Sequence, residues 1–123
     1  MYRINGGEKR GPAATGRYAE DVYDGIRVSL GNPWYLTTLT VPHVLFLASS
    51  HFYQTGESIV ISVTNAAFWS DLVGEVPVGT TWQKGSQEWK AALEALEKWS
   101  DGFWEVARRY QEKRGELAEQ FNR

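Results

Sequence analysis

Residues 34–53 read Trp34-Tyr35-Leu36-Thr37-Thr38-Leu39-Thr40-Val41-Pro42-His43-Val44-Leu45-Phe46-Leu47-Ala48-Ser49-Ser50-His51-Phe52-Tyr53. Wound as a helix, the apolar side chains of this run cover nearly every face. A helix that is apolar all round has to be enclosed by other elements. Pro33 suits the first helical turn. Pro42 does not suit the interior, where it removes a hydrogen bond and crowds the preceding turn, so a kink or break is expected there. Thr37, Thr38 and Thr40, stiff at χ1, weaken the helical tendency further.

Downstream, Ile59 to Val63 alternates enough for a short strand or extended loop. Thr64 is placed to cap a short helix running to about Leu72, closed by Gly74 and Pro77. Gly79 to Gly85 reads as a turn region. Ser86 is a candidate N-cap for the strongest element, a helix from about Gln87 to Lys113. Its apolar stripe is Trp89, Leu93, Leu96, Phe103, Val106 and Tyr110, with charges opposite. Glu94 with Lys98 and Glu105 with Arg109 are i,i+4 pairs, each contributing about 0.2–0.5 kcal/mol. Gly115 is the stop signal, with Lys113 and Arg114 complementing the C-terminal dipole. Gly102 costs the helix interior about 1 kcal/mol relative to Ala. One wrapped helix and one amphipathic helix suggest the inner and outer layers of an all-α fold with about three to four helices and long loops.

Composition narrows the function. The 123 residues are one domain's worth, long enough to bury a real core. Net charge is −2 and no segment clusters Lys and Arg, which excludes tracking along nucleic acid. Cysteine is absent, so disulfides and thiolate metal sites are excluded. His43 and His51 have no neighbouring ligand pattern, and no metal or other cofactor is expected. The longest apolar run, Val44 to Ala48, is far too short to span a membrane, and the start of the chain lacks a signal-peptide pattern. Six Trp and 14% aromatic residues leave two uses open, a heavy core or a sugar-stacking surface.

Upstream of the first helix, residues 5–16 are Gly-rich and polar and read as a loop. Residues 17–33 have neither helical nor strand period. They crowd Arg17, Glu20, Asp21, Asp24 and Arg27 among Tyr18 and Tyr23, the kind of irregular segment on which function tends to sit. Within it, Gly16-Arg17-Tyr18-Ala19-Glu20-Asp21-Val22-Tyr23, followed by Gly31-Asn32-Pro33-Trp34, resembles a signature of the family-15 glycoside hydrolases, the glucoamylases. Glu119-Gln120-Phe121-Asn122 resembles their second signature. Asp101-Gly102-Phe103 and Tyr2-Arg3-Ile4-Asn5 are similar to segments at fitting places between and before the two.

The resemblance implies a partial (α/α)6 barrel. It places residues 1–123 as one partial catalytic domain, its C-terminal part, incomplete at both ends. It implies an exo-acting, inverting release of glucose from the non-reducing ends of starch-like α-glucans. Glu119 corresponds to the general base, and Arg17, Asp21, Tyr23, Trp34 and Gln120 to the sugar-binding cleft. An inverting enzyme needs an acid and a base roughly 6.5–9.5 Å apart. Arg17 has the donors for sugar hydroxyls, and Trp34 and Tyr23 the flat faces for pyranose C–H groups. The resemblance puts the general acid upstream of Met1 and a last barrel helix beyond Arg123. It assigns the acid to none of Glu20, Asp21 or Asp24. The chain departs from the pattern at Ala19, where relatives have Pro, and at Ala118, where they have Ser. Two other readings stand beside a hydrolase fragment: a non-catalytic α-glucan-binding piece and a structural remnant. In each, exposed apolar helix faces predict self-association. Members of the family are often secreted or vacuolar, which leaves the compartment of this chain open.

Overall fold

The computed structural model describes residues 2–6, 11–112 and 114–121. Three helices dominate: α1 (Tyr35–Thr55), α2 (Ala66–Val73) and α3 (Gln87–Arg109). A two-stranded antiparallel ribbon of β1 (Ile59–Val60) and β2 (Thr81–Trp82) brackets α2, in the register Ile59↔Trp82 and Val60↔Thr81. A single 3₁₀ turn, Arg3–Asn5, lies near the start. The chain divides into two compact units, Met1–His43 with Ser100–Arg123, and Val44–Trp99. Both α1 and α3 pass from one unit into the other.

The unit of residues 44–99 is held by its aromatic residues. Trp69, Trp82 and Trp89 are buried, beside Ile59, Ile61, Leu93 and Leu96. Trp69 meets Trp82 edge to face at 5.4 Å, and Tyr53 meets Trp89 in the same way at 5.4 Å. The Trp89 indole N–H finds the Glu57 carbonyl at 2.9 Å, so its burial leaves no orphan donor. Buried Ser49 donates to Glu97 at 2.8 Å. Ser86 caps α3 as expected, its Oγ accepting from the Trp89 N–H at 3.1 Å. At α2 the N-cap position belongs to Asn65 instead of Thr64. Its side chain folds back onto the preceding turn, accepting from the Ser62 N–H and donating to the Val60 carbonyl. The region expected to be only a turn contains β2, whose Trp82 is drawn into the ribbon by its apolar neighbours.

In the unit of residues 1–43 and 100–123 the core is small. Ala14, Tyr35, Ala107 and Phe121 form its centre, with Ile4, Leu39, Val106 and Tyr110 around them. Tyr35 and Phe121 stack at 3.9 Å, and Tyr110 meets Phe121 edge-on at 5.8 Å. Hydrogen bonds supply much of the rest. Asn5 exchanges bonds with Ala14 in both directions, and the Thr15 N–H donates to Thr38 Oγ1 at 2.9 Å.

Four expectations need correction. Of the kink or break expected at Pro42, the break does not occur, and helix α1 runs on through it. The proline forfeits the bond to the Thr38 carbonyl, but its ring is fully buried and Ser100 Oγ donates to its own carbonyl at 3.1 Å, so packing overrides the local cost. Enclosure of α1 on all sides holds for one face only. Leu36 is exposed in one unit, and Val44, Phe46 and Leu47 in the other. Helix α3 ends at Arg109 instead of Lys113, tightening through Tyr110 N–H to Ala107 O; Lys113 itself lies outside the described residues. Glu105 pairs with Arg108, at 2.7 Å, in place of Arg109. Gly102, which costs helix propensity, has a packing reason: a Cβ there would meet Pro12 Cγ at 2.3 Å.

Candidate functional site

The irregular segment 14–34 is fixed by its own polar groups. The Arg17 guanidinium grips the Asp21 carboxylate with a two-pronged fork, Nε to Oδ2 and Nη2 to Oδ1, both 2.8 Å. The Asp21 side chain is fully covered while 36% of the Arg17 side chain is exposed. Asp21 Oδ1 also accepts from the Tyr23 N–H at 3.2 Å. The Arg17 hydrogen bonds, aided by the Tyr23 N–H and working against burial, hold the Asp21 carboxyl at about 2. Trp34 adds weakly to that depression, although its Nε1 lies outside hydrogen-bond geometry with any described residue. The Arg17 guanidinium is raised in turn, first by its bond to Asp21 and last by the charge of Glu119.

Arg17 is also framed by rings. Its Cζ lies 4.1 Å from the Trp34 ring centre, 5.5 Å from Tyr18 and 5.8 Å from Tyr23. Trp34 is buried, and the guanidinium lies over its ring. Tyr23 and Tyr18 remain open to solvent. The loop that follows Tyr23 closes on itself through the Tyr23↔Val28 bridge, with Asp24 Oδ1 accepting from the Ile26 and Arg27 N–H groups. It returns past Gly31, whose positive φ of 67° and lack of a Cβ let it pass the Asp21 carbonyl; a Cβ would sit 2.1 Å from that oxygen.

Residues 119–121 are paired with residues 33–35 as a short antiparallel bridge. Phe121 N–H donates to Pro33 O at 3.0 Å, Tyr35 N–H donates to Glu119 O at 3.3 Å, and Trp34 lies opposite Gln120. The structure therefore gathers Arg17, Asp21, Tyr23, Trp34, Glu119 and Gln120 around one short pairing in one unit. Asp21, Trp34 and Gln120 are buried there, and Arg17, Tyr23 and Glu119 are exposed. Asn122, the last residue of the second motif, lies outside the described residues.

An open cavity of about 1120 Å³ lies in the same unit, lined among others by Tyr2, Asn5, Gly16, Tyr18, Asp21 and Asn32. Of the six expected residues it takes in only Asp21. The Tyr2 hydroxyl beside it is pushed up by burial and then by the Asp21 charge. Tyr18 and Asn32 are participants to which sequence reasoning gave no role; both stood inside the quoted motifs, which was the available signal. Among the described residues, no cluster of His, Asp and Glu could hold a metal ion, and no helix is long and apolar enough to cross a membrane.

Known proteins resemble this chain in sequence and in fold. The family model of glycosyl hydrolases family 15 matches residues 1–123. A glucoamylase of Blastobotrys adeninivorans is 40% identical over 110 residues, covering 88% of this chain and 18% of its own length. A glucoamylase of Neurospora crassa is 40% identical over 124 residues, covering 100% of this chain and 19% of its own. The chain thus spans about a fifth of the length of these relatives. The glucoamylase structure from Saccharomycopsis fibuligera superposes with a TM-score of 0.89 at 30% identity, over 99% of this chain and 26% of that one. The family-15 glucoamylase from Hypocrea jecorina gives 0.83 at 37% identity, over 99% and 19%. The three helices thus match part of an (α/α)6 fold, and the chain belongs to glycosyl hydrolases family 15.

Proposed function

We propose that residues 1–123 form one partial catalytic domain, the C-terminal part of a glucoamylase, and that the site around Arg17 binds the non-reducing end of an α-glucan. The observation that carries this reading is the Arg17–Asp21 fork with Glu119 pinned beside it by the Tyr35 N–H. Fixing Asp21 by two bonds leaves the exposed edge of Arg17 for sugar hydroxyls, with Tyr23 offering an open ring; Gln120, buried and bonded to Asn32, backs the site without an exposed edge. Trp34, buried under the guanidinium, serves chiefly to hold Arg17. Glu119 is the exposed carboxylate in this group and takes the part of the base that activates water across the sugar ring, as inversion requires. The general acid comes from none of the carboxylates of this chain, so the chain by itself binds without turning over.

Binding and turnover are separable in one titration. Maltose added to the chain should shift the amide signals of residues 17–34 and 119–121 saturably, and Arg17→Ala should abolish the shifts. Soluble starch should yield no glucose from the chain alone. An absence of any shift at high-millimolar maltose would sink the glucan reading. Glucose release lost on Glu119→Gln would instead show that the acid is present in this chain.

The exposed apolar group Val44, Phe46 and Leu47 supports self-association of the isolated chain. Sedimentation velocity should show oligomers that shift toward monomer in Phe46→Ser, and a wild-type monomer at all concentrations would contradict this.

A further inference from the structure

The loop that follows Tyr23 carries three strongly exposed aliphatic side chains, Ile26, Val28 and Leu30, and Val28 is 75% exposed. Its backbone is nevertheless well fixed. The Asp24 N–H donates to the Arg27 carbonyl at 3.0 Å, and the Ser29 N–H donates to the Val22 carbonyl at 2.7 Å. These two bonds flank the Tyr23↔Val28 bridge on either side. Tyr23 and Val28 are therefore a non-hydrogen-bonded antiparallel pair, the kind in which Cα atoms approach to about 4.5 Å and both side chains stand on one face. Val22 and Ser29, the next pair along, stand on the other face.

The face that carries Tyr23 is the face that meets the site. The Tyr23 ring centre lies 5.8 Å from Arg17 Cζ and 6.3 Å from the Trp34 ring. Val28 stands beside it there, and both side chains are open to solvent. The pair is apolar in effect as well as in name. The one proton of the Tyr23 hydroxyl goes to the Gly25 carbonyl at 2.7 Å, and Val28 has no polar atom. Together they present a ring and an isopropyl group, with no donor left for a sugar hydroxyl.

We propose that Tyr23 and Val28 form an apolar wall beside the sugar held at Arg17, and that the site takes α-glucosides carrying an alkyl aglycone in addition to α-glucan. The place of the glucosyl unit rests on the glucan reading; the pairing that sets Val28 beside Tyr23 does not. An alkyl chain has no hydrogen bonds to give up, and covering the wall removes apolar surface of both partners from water. Full burial of a methylene improves affinity about fourfold, and one-sided contact with an open wall about twofold. The β-branched Val28 holds its methyl groups nearly fixed, so little rotamer freedom is lost on contact.

Methyl and hexyl α-glucoside, each titrated below its micellar concentration into the intact 123-residue chain, read the wall by NMR. The hexyl compound should bind roughly tenfold tighter than the methyl compound and shift the Val28 methyl signals. Val28→Thr keeps the shape and the β-branch but exchanges a methyl group for a hydroxyl. It should cut the hexyl advantage about threefold and leave methyl α-glucoside binding as it was. Val22→Thr, on the opposite face, should change neither. The ratio of two ligands on one variant does not depend on the fraction folded, so a partly unfolded variant still reports. Equal binding of the two compounds by the wild type, or a hexyl advantage that survives Val28→Thr, would overturn the wall. So would hexyl-induced shifts confined to Val44, Phe46 and Leu47. If maltose binds among residues 17–34 and the hexyl group gains nothing, the wall falls and the glucan reading stands. Hexyl binding at Val28 that ignores Arg17→Ala, with no maltose binding at all, would overturn the glucan reading and the glucoside assignment built on it.

Discussion

In the unit of residues 44–99, rings press edge to face, Trp69 on Trp82 and Tyr53 on Trp89, with long-range polar bonds such as Ser49 to Glu97 and Trp89 to Glu57 beside them. The unit of residues 1–43 and 100–123 has a four-residue apolar centre and a mesh of directional bonds that tie Asn5 to Ala14, Thr15 to Thr38 and Asn32 to Gln120. Apolar packing is non-directional and scales with buried area, so it is suited to holding a shape. Hydrogen bonds add little net stability but dictate which atom faces which way. A site that must hold charged and polar groups in one arrangement is better served by the second kind of cohesion. The two units should therefore respond to different insults: the first to loss of volume, the second to changes of polarity that leave volume alone.

The harshest way to break this contrast is Trp69→Ala. Removing a buried indole should cost about 3–5 kcal/mol, read as a lower denaturation midpoint with amide protection lost first within residues 44–99. A loss below about 1 kcal/mol would mean that this unit is not held by its rings. Gly102→Ala tests steric closeness in the other unit. Ala gains helix propensity but would press on Pro12, for a net loss of about 1–2 kcal/mol. A stabilised variant would show that the approach of Pro12 is slack. Ser86→Ala removes a cap outside both cores, and about 1 kcal/mol should go with it.

The same contrast explains what could be foreseen from sequence. Helix α3 was legible because its stripe of Trp89, Leu93, Leu96 and Phe103 repeats at helical spacing and its Ser86 cap is local. Helix α1 was legible in extent but not at Pro42, where the deciding contact is Ser100, 58 residues away. The gathering of Arg17, Asp21, Trp34 and Gln120 could be expected only from motif resemblance, since no periodicity links residue 34 to residue 120. The bond between Asn32 and Gln120 was not legible, because 88 residues separate the two amides and no periodicity links them. Volume and period are written along the chain, whereas polarity is decided where distant segments meet.

The smallest expected effect sharpens the contrast most, because it changes a proton and no volume. The Asp21 carboxyl is held at about 2 in the folded chain against 3.8 for the free group, chiefly by Arg17. A depressed folded value means that the unfolded chain takes up the proton first. The stability tied to this pair is therefore fully present above roughly pH 5 and is lost as the pH falls through 4 toward 2. The exposed side of Arg17 lets water and salt screen the interaction, so the shift in melting temperature should be modest and smaller at high ionic strength. Asp21→Asn, equal in size and without the charge, should flatten the pH dependence in that window. Trp69→Tyr should leave the slope as it is, whatever it does to the midpoint. A slope that survives Asp21→Asn would mean that other carboxylates govern the acid limb, and that the fork at Arg17 orients the site without tying its stability to pH.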